Sequence, residues 1–325
     1  MNLVMLGTGT FAEPTFEALI HAFPGEVVGL ITQPDRDTGR RSGSSRMIGK
    51  GMATIARDAG IPFAQPHNIS TPEGLAELQA MKPDLLVVAA YGQILKPPVI
   101  AAGPQGAINV HASLLPKYRG AAPVAHAILN GESQTGVTII RIAPGLDAGE
   151  MLEQEAVDIA PTETAGELEF RLAPLGARLA VRTVERMKAG PIHGTAQDAE
   201  IARRFRAPKL TKEMGSIDWT QSAESIGRLI RAMQPWPTAY TYFHRPGKEP
   251  MRLMITSATD SSRPTSPAPG TAIGLSSTTF GIVTGSGIVE IHELQPAGKK
   301  KVTAAEFLRG YPLIAGSRFG PEVLS

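Results

Sequence analysis

Asp84-Leu85-Leu86-Val87-Val88-Ala89-Ala90 is apolar throughout after its first residue. A run with no polar face reads as a strand buried on both sides. Similar short runs, mostly rich in Val, Ile and Leu, stand at Leu3 to Leu6, Val27 to Ile31, Ala107 to Val110 and Val137 to Ile142. Between several of them lie helix-like stretches, Ala12 to Ala22, Gly74 to Met81 and Ala122 to Leu129. Doubly buried strands alternating with helices predict an α/β domain built on a doubly wound, Rossmann-like parallel sheet. The helical pattern Ala165 to Met187, stopped at Ala189-Gly190-Pro191, closes it, so the first domain is read as residues 1–190.

Residues 191–208 are polar and poorly periodic, as a linker would be, and a second domain is read over 209–325. It holds one predicted helix, Ser222 to Met233, then β-like runs near Thr238 to Phe243, Met251 to Ile255, Gly270 to Leu275, Phe280 to Val283 and Ile288 to His292. Short strands separated by Gly, Pro and Ser predict a small β-barrel, with Ser261 to Pro269 as a surface loop. Two domains also suit the length, since 325 residues exceed one ordinary core.

Composition narrows the function. With no cysteine among its residues, the chain has no disulfide, thiol nucleophile or thiolate metal site. The start, Met1-Asn2-Leu3-Val4-Met5-Leu6-Gly7, reads as no secretory leader, and no apolar run approaches the ~18 residues of a membrane helix. A soluble, cytoplasmic protein is expected, without a metal and without a membrane. The net charge of +2 hides an asymmetry: residues 1–200 carry 16 Lys+Arg against 21 Asp+Glu, or −5, and residues 201–325 carry 16 against 9, or +7. The basic half suits a polyanionic partner.

Three features could carry chemistry. Gly7-Thr8-Gly9 follows the first strand, but position 12 is Ala and the second strand ends Leu30-Ile31-Thr32-Gln33 without an acid, so a nicotinamide site is not implied. Asn109 and His111 fall two apart at the end of a strand, where period-two alternation aims both side chains to one side. Asp147, on the glycine-flanked loop Pro144-Gly145-Leu146-Asp147-Ala148-Gly149-Glu150, can reach the same edge of the sheet. An amide donor, an imidazole and a carboxylate would then converge, although each alone has a structural explanation as a turn, interior or capping residue. Finally, Thr32 to Lys50 is rich in Gly and Ser and carries Arg36, Arg40, Arg41, Arg46 and Lys50 against Asp35 and Asp37, a composition suited to phosphate contacts.

The motifs Asn109 to Pro116, Arg119-Gly120-Ala121-Ala122-Pro123, Gly136-Val137-Thr138, Gly145-Leu146-Asp147 and Gly149-Glu150-Met151 closely resemble those of the methionyl-tRNA formyltransferase family. The likeness runs on through Gln33-Pro34-Asp35-Arg36, Ala90-Tyr91-Gly92, Lys209-Leu210, Ile217-Asp218-Trp219, Ile230-Arg231-Ala232, Pro235-Trp236-Pro237, Pro269-Gly270-Thr271 and Gly298-Lys299-Lys300, covering nearly the whole chain. The resemblance implies formyl transfer from 10-formyltetrahydrofolate to the α-amino group of methionyl initiator tRNA, by a monomer needing no metal. It places catalysis on Asn109, His111 and Asp147, folate contacts on Ser113, Leu114, Leu115, Pro116, Tyr91 and Gly92, and tRNA contacts on Arg36, Arg40, Arg41, Arg46 and Lys50. It also implies an OB-like form for the barrel. Gly9-Thr10, Ala148, Val124-Ala125-His126 and Ser44, Ser45 and Met47 depart from the family's usual residues. A formyltetrahydrofolate hydrolase, a sugar-nucleotide formyltransferase and a non-catalytic RNA-binding module are the rival readings.

Overall fold

All five apolar runs become strands of one sheet in the computed structural model, which describes residues 1–34, 49–264, 266–276 and 278–323. In chain order the elements are β1 (Leu3–Gly7), α1 (Glu13–Ala22), β2 (Val27–Ile31), α2 (Met52–Asp58), β3 (Phe63–Ala64), α3 (Pro72–Ala80), β4 (Leu85–Ala89), α4 (Pro97–Ile100), β5 (Ala107–His111), β6 (Arg119–Gly120), α5 (Pro123–Leu129), β7 (Gln134–Arg141), β8 (Met151–Asp158), α6 (Ala165–Ala189), α7 (Ala199–Arg204) and β9 (Arg206–Ala207). The sheet runs β3-β2-β1-β4-β5-β7-β8. Every residue of β1 and of β4 is buried, as strands covered on both faces require.

Pairing is parallel from β3 to β5, then antiparallel at β5–β7 and β7–β8. The reversal follows from the connection. The chain leaves β5 at His111, stays at that end through β6 and α5, and re-enters beside it, Thr138 opposite His111 and Arg141 opposite Ile108. Without a crossover back to the start of β5, the next strand can only run the other way. On β5, Ile108 and Val110 are buried in the core while Asn109 between them is half-buried. A Cβ added to Gly176 of α6 would lie 2.6 Å from Val110 Cγ1, so the helix lies close against β5 only because it carries glycine there.

The segment read as a linker has structure of its own. Asp198 caps α7 by accepting the N–H groups of Glu200 and Ile201, Thr195 bridges Met151 at the edge strand β8, and β9 pairs in parallel with β6, Arg206 opposite Arg119 and Ala207 opposite Gly120. These residues belong to a first compact unit of Met1–Ala127, Ser133–Ala160 and Gly166–Lys209; Ile128–Glu132, Pro161–Ala165 and Leu210–Ser325 form a second.

The second unit contains α8 (Ala223–Ala232), β10 (Ala239–His244), β11 (Met251–Ser261), β12 (Ala272–Gly274), β13 (Phe280–Val283), β14 (Ile288–Pro296), β15 (Val302–Thr303), α9 (Ala304–Gly310) and β16 (Arg318–Gly320). Its sheet follows the order β12-β13-β14-β11-β10-β16, with antiparallel pairing throughout and β15 on β14. A bridge between Thr271 and Arg318 brings the two edges together, so the barrel is nearly closed. Phe243, Phe280, Phe307 and Phe319 fill it, Phe243 and Phe319 stacking at 4.8 Å. β11 continues to Ser261, past the expected end at Ile255, with irregular register around Ser257.

Candidate active site

β5 delivers Asn109 and His111 to the same side, as alternation requires. Asp147 reaches them by a route that strand order alone does not suggest. Because β7 is antiparallel, its last residue lies beside the start of β5, where the Ile142 N–H donates to the Ala107 carbonyl at 2.7 Å. The loop 142–150 is closed at its base by the Arg141 N–H to the Glu150 carbonyl, 2.9 Å, and doubles back to set Asp147 against both side chains. Asp147 Oδ1 lies 3.5 Å from Asn109 Nδ2, and Oδ2 lies 3.6 Å from His111 Nδ1. A third partner is the Gly120 N–H, which donates to Asp147 Oδ2 at 2.9 Å. Asp147 itself takes φ +49°, a left-handed backbone that a non-glycine residue holds only when its surroundings enforce it.

His111 is 5% exposed and has an acceptor on each side. Its Nε2 is 2.9 Å from the Tyr118 carbonyl oxygen, which can only accept, so Nε2 carries a proton. Nδ1 faces the Asp147 carboxylate. A proton on Nδ1 would lie between the ring and that carboxylate. The Asn109 and His111 contacts to Asp147, at 3.5 and 3.6 Å, are long for hydrogen bonds. Both donors therefore remain available to a group placed between them. The buried Nε2 contact is short and fixes the ring.

The loop after β5 is held by a hydroxyl hub. Thr138, opposite His111 on β7, donates to the Ser113 carbonyl at 2.6 Å and accepts the Leu115 N–H at 3.2 Å and Gln154 Nε2 at 2.8 Å. Ser113 is fully buried, with its hydroxyl on the Lys117 carbonyl at 2.7 Å, and Leu115 is buried as well. Leu114 and Pro116 are half-buried. Of the residues expected to touch folate, Tyr91 has its ring in the core of the first unit, among Ile31, Ile69 and Val99. Among the described residues its hydroxyl has no partner, and burial pushes it up to about 12. Only its backbone faces the sheet's edge, where the carbonyl accepts Gln33 Nε2 at 3.1 Å. Gly92 is exposed at φ +82°.

Arg36, Arg40, Arg41 and Arg46 lie outside the described residues. Lys50 is described, exposed, and paired with Glu17 at 2.7 Å. Among the described residues no group of three His, Cys, Asp or Glu side chains is arranged to hold a metal ion, and no helix is long and apolar enough to cross a membrane.

Sequence reasoning missed the far side of the site. The Tyr118 N–H donates to the Phe205 carbonyl at 2.8 Å and the Ala121 N–H to the Ala207 carbonyl at 2.8 Å, so Phe205 and β9 together seat the stretch that supplies the carbonyl on His111 and the amide on Asp147. The Tyr118 ring meets Phe205 edge to face at 6.0 Å. His126 Nε2 reaches the Pro208 carbonyl at 3.1 Å, and burial lowers its pKa. From the other side Gln197 contacts the Asp147 loop. These are backbone and single polar contacts between segments far apart in sequence, and no periodicity announces them.

Two family profiles match the chain, formyl transferase over residues 1–184 and the formyl transferase C-terminal domain over 209–312. A methionyl-tRNA formyltransferase of Desulfotalea psychrophila is 39% identical over 324 residues, covering 100% of this chain and 95% of that protein. The methionyl-tRNA formyltransferase of Solibacter usitatus is 41% identical over 322 residues, covering 98% and 99%. Among solved structures, the N-formyltransferase of Helicobacter canadensis, in complex with folinic acid and dTDP-3-aminofucose, superposes with a TM-score of 0.67 at 19% identity over 93% of this chain and 100% of that one. A likeness at that identity speaks for the fold alone. Identity near 40% across both domains goes further, and by it the chain belongs to the methionyl-tRNA formyltransferase family.

Proposed function

We propose that this protein transfers the formyl group of 10-formyltetrahydrofolate to the α-amino group of methionyl initiator tRNA. The observation that carries this reading is full-length identity, through both domains, to proteins named for that reaction. Catalysis is assigned to the first domain, with residues 191–208 completing it, and tRNA binding to 209–325, in a cytoplasmic monomer. The resemblance lends Arg36, Arg40, Arg41, Arg46 and Lys50 to the tRNA.

The chemistry needs no protein nucleophile. The amine nitrogen bonds to the formyl carbon, the bond from that carbon to the donor's nitrogen breaks, and one proton passes from the amine to the departing nitrogen. Asn109 Nδ2 and His111 Nδ1 are the two donors left only loosely engaged, and they are assigned to the formyl oxygen as charge builds on it. Asp147, facing the His111 ring at 3.6 Å, is assigned to relay the amine proton, directly or through one water. Folate contacts are assigned to Leu114 and Pro116 by side chain, and to Ser113, Leu115, Tyr91 and Gly92 by backbone or by shaping the loop, since the side chains of Ser113, Leu115 and Tyr91 are buried.

Formyl transfer measured in parallel with charged initiator tRNA, charged elongator tRNA, a nucleotide-linked amino sugar and no acceptor tests the reading. Turnover is expected only with the initiator. Formate release without acceptor would indicate a hydrolase, and formylation of the sugar would indicate a sugar formyltransferase. Asn109→Ala and His111→Ala should each lower kcat by ~10²–10³ with tRNA affinity retained.

A further inference from the structure

Gln197, in the segment between the two catalogued domains, spends its whole carboxamide on the neighbourhood of Asp147. Nε2 donates to the Asp147 carbonyl at 2.8 Å and to the Gly149 carbonyl at 2.7 Å, which uses both of its hydrogens. Oε1 accepts from Arg119 Nε at 2.9 Å. The opposite amide orientation would set a donor against the Arg119 N–H and an acceptor against two carbonyls, so the network permits one orientation. Arg119 precedes Gly120, whose N–H holds the Asp147 carboxylate. One side chain thus ties the backbone of Asp147 to the strand that carries its hydrogen-bond donor.

The loop needs such a tie. Asp147 sits at φ +49°, and Gly149 passes so close to β7 that a Cβ there would fall 1.6 Å from the Arg141 carbonyl oxygen. At Asp147 the restraint comes from outside. We infer that Gln197 is a positioning residue for catalysis, clamping the 145–149 loop so that the Asp147 carboxylate stays on His111 and Asn109; this rests on the catalytic role proposed above for Asp147. The polar atoms of Gln197 all meet protein groups. It acts by fixing where a charge stands, and a displacement of about 1 Å in such a group costs turnover up to ~10²-fold.

Gln197→Glu and Gln197→Ala in the full-length protein test this. The glutamate retains an acceptor for Arg119 and has no N–H for the two carbonyls, so both variants should lose the clamp alike. Expected are a kcat lower by roughly 10- to 100-fold, unchanged KM for folate and for tRNA, an unchanged thermal midpoint, and faster amide exchange at 145–149. A purely structural role would instead lower the midpoint and leave kcat of the folded fraction intact, which overturns the inference. So does wild-type turnover in Gln197→Glu when Asp147→Asn has lost it, and in that case the role of Asp147 stands. Wild-type turnover in Asp147→Asn overturns the role of Asp147 and the inference together.

Discussion

Asp147→Asn removes one charge and almost no volume, and the structure sets what that charge does. A carboxylate 3.6 Å from Nδ1 attracts a positive charge on that ring by at most about 4.6 kcal/mol at an effective dielectric near 20. Two effects reduce the part lost: the Asp147 side chain keeps 14% exposure, so water screens the pair, and the Gly120 N–H, which already draws on the carboxylate, can still meet an amide oxygen. With both reductions, the expected loss is at the low end for one electrostatic stabiliser of the transition state, roughly 100-fold in kcat. The assay is formyl transfer under saturating folate donor and charged initiator tRNA, with tRNA affinity measured separately. Affinity should stay at the wild-type level, since Asp147 is spent on protein groups. A kcat within threefold of wild type would refute the electrostatic reasoning, and an equal fall in kcat and in tRNA affinity would refute the assignment of Asp147 to chemistry.

Arg40→Ala and Arg41→Ala should each weaken tRNA binding and make the slope of log affinity against log salt shallower by about 1; an unchanged slope means that the residue meets no phosphate. Gly176→Ala sets overpacking against Val110, worth about 1–3 kcal/mol, against a helix-propensity gain of about 1 kcal/mol. The contact should win because Val110 is a stiff side chain on a central strand, so the thermal midpoint is expected to fall by a few degrees; a rise would mean that α6 shifts freely. His126 is buried, which lowers its pKa from the ordinary 6.5, so the unfolded chain binds more protons than the folded one. Stability from this site is complete above pH 6.5 and is lost as pH falls below it. Urea unfolding between pH 7.5 and 5.5 should show a shallower acid-side loss in His126→Gln, which keeps an N–H for the Pro208 carbonyl, and matching slopes would exclude His126 as the source.

Legibility in the sequence followed the range of the interactions. The buried strands were readable because a doubly buried strand must be apolar at every position, as β4 is, and Asn109 and His111 because alternation along one strand is local. The direction of β7 was not readable: Val137 to Ile142 is equally apolar whichever way it runs, and direction is set by where the preceding chain turns. Asp147 was assigned by motif, while its path back over β5 depends on that reversed strand. Tyr91 shows a different limit. Its neighbours Ala90 and Gly92 both take positive φ, and the kink sends the ring into the core while leaving the backbone at the edge. In β11 the apolar alternation stops after Ile255, yet pairing to β14 carries Thr256 to Ser261 onward as strand, because ladder hydrogen bonds need no apolar side chains.

The pairing of β9 with β6 also bears on how this protein can be cut. A fragment ending at Gly190 would contain every strand of the first sheet and all three of Asn109, His111 and Asp147. It would lack the Phe205 and Ala207 carbonyls that seat Tyr118 and Ala121, and Gln197 with them. A piece that keeps the surroundings of Asn109, His111 and Asp147 must therefore extend through Pro208, and the seam for attaching a different second domain lies after β9.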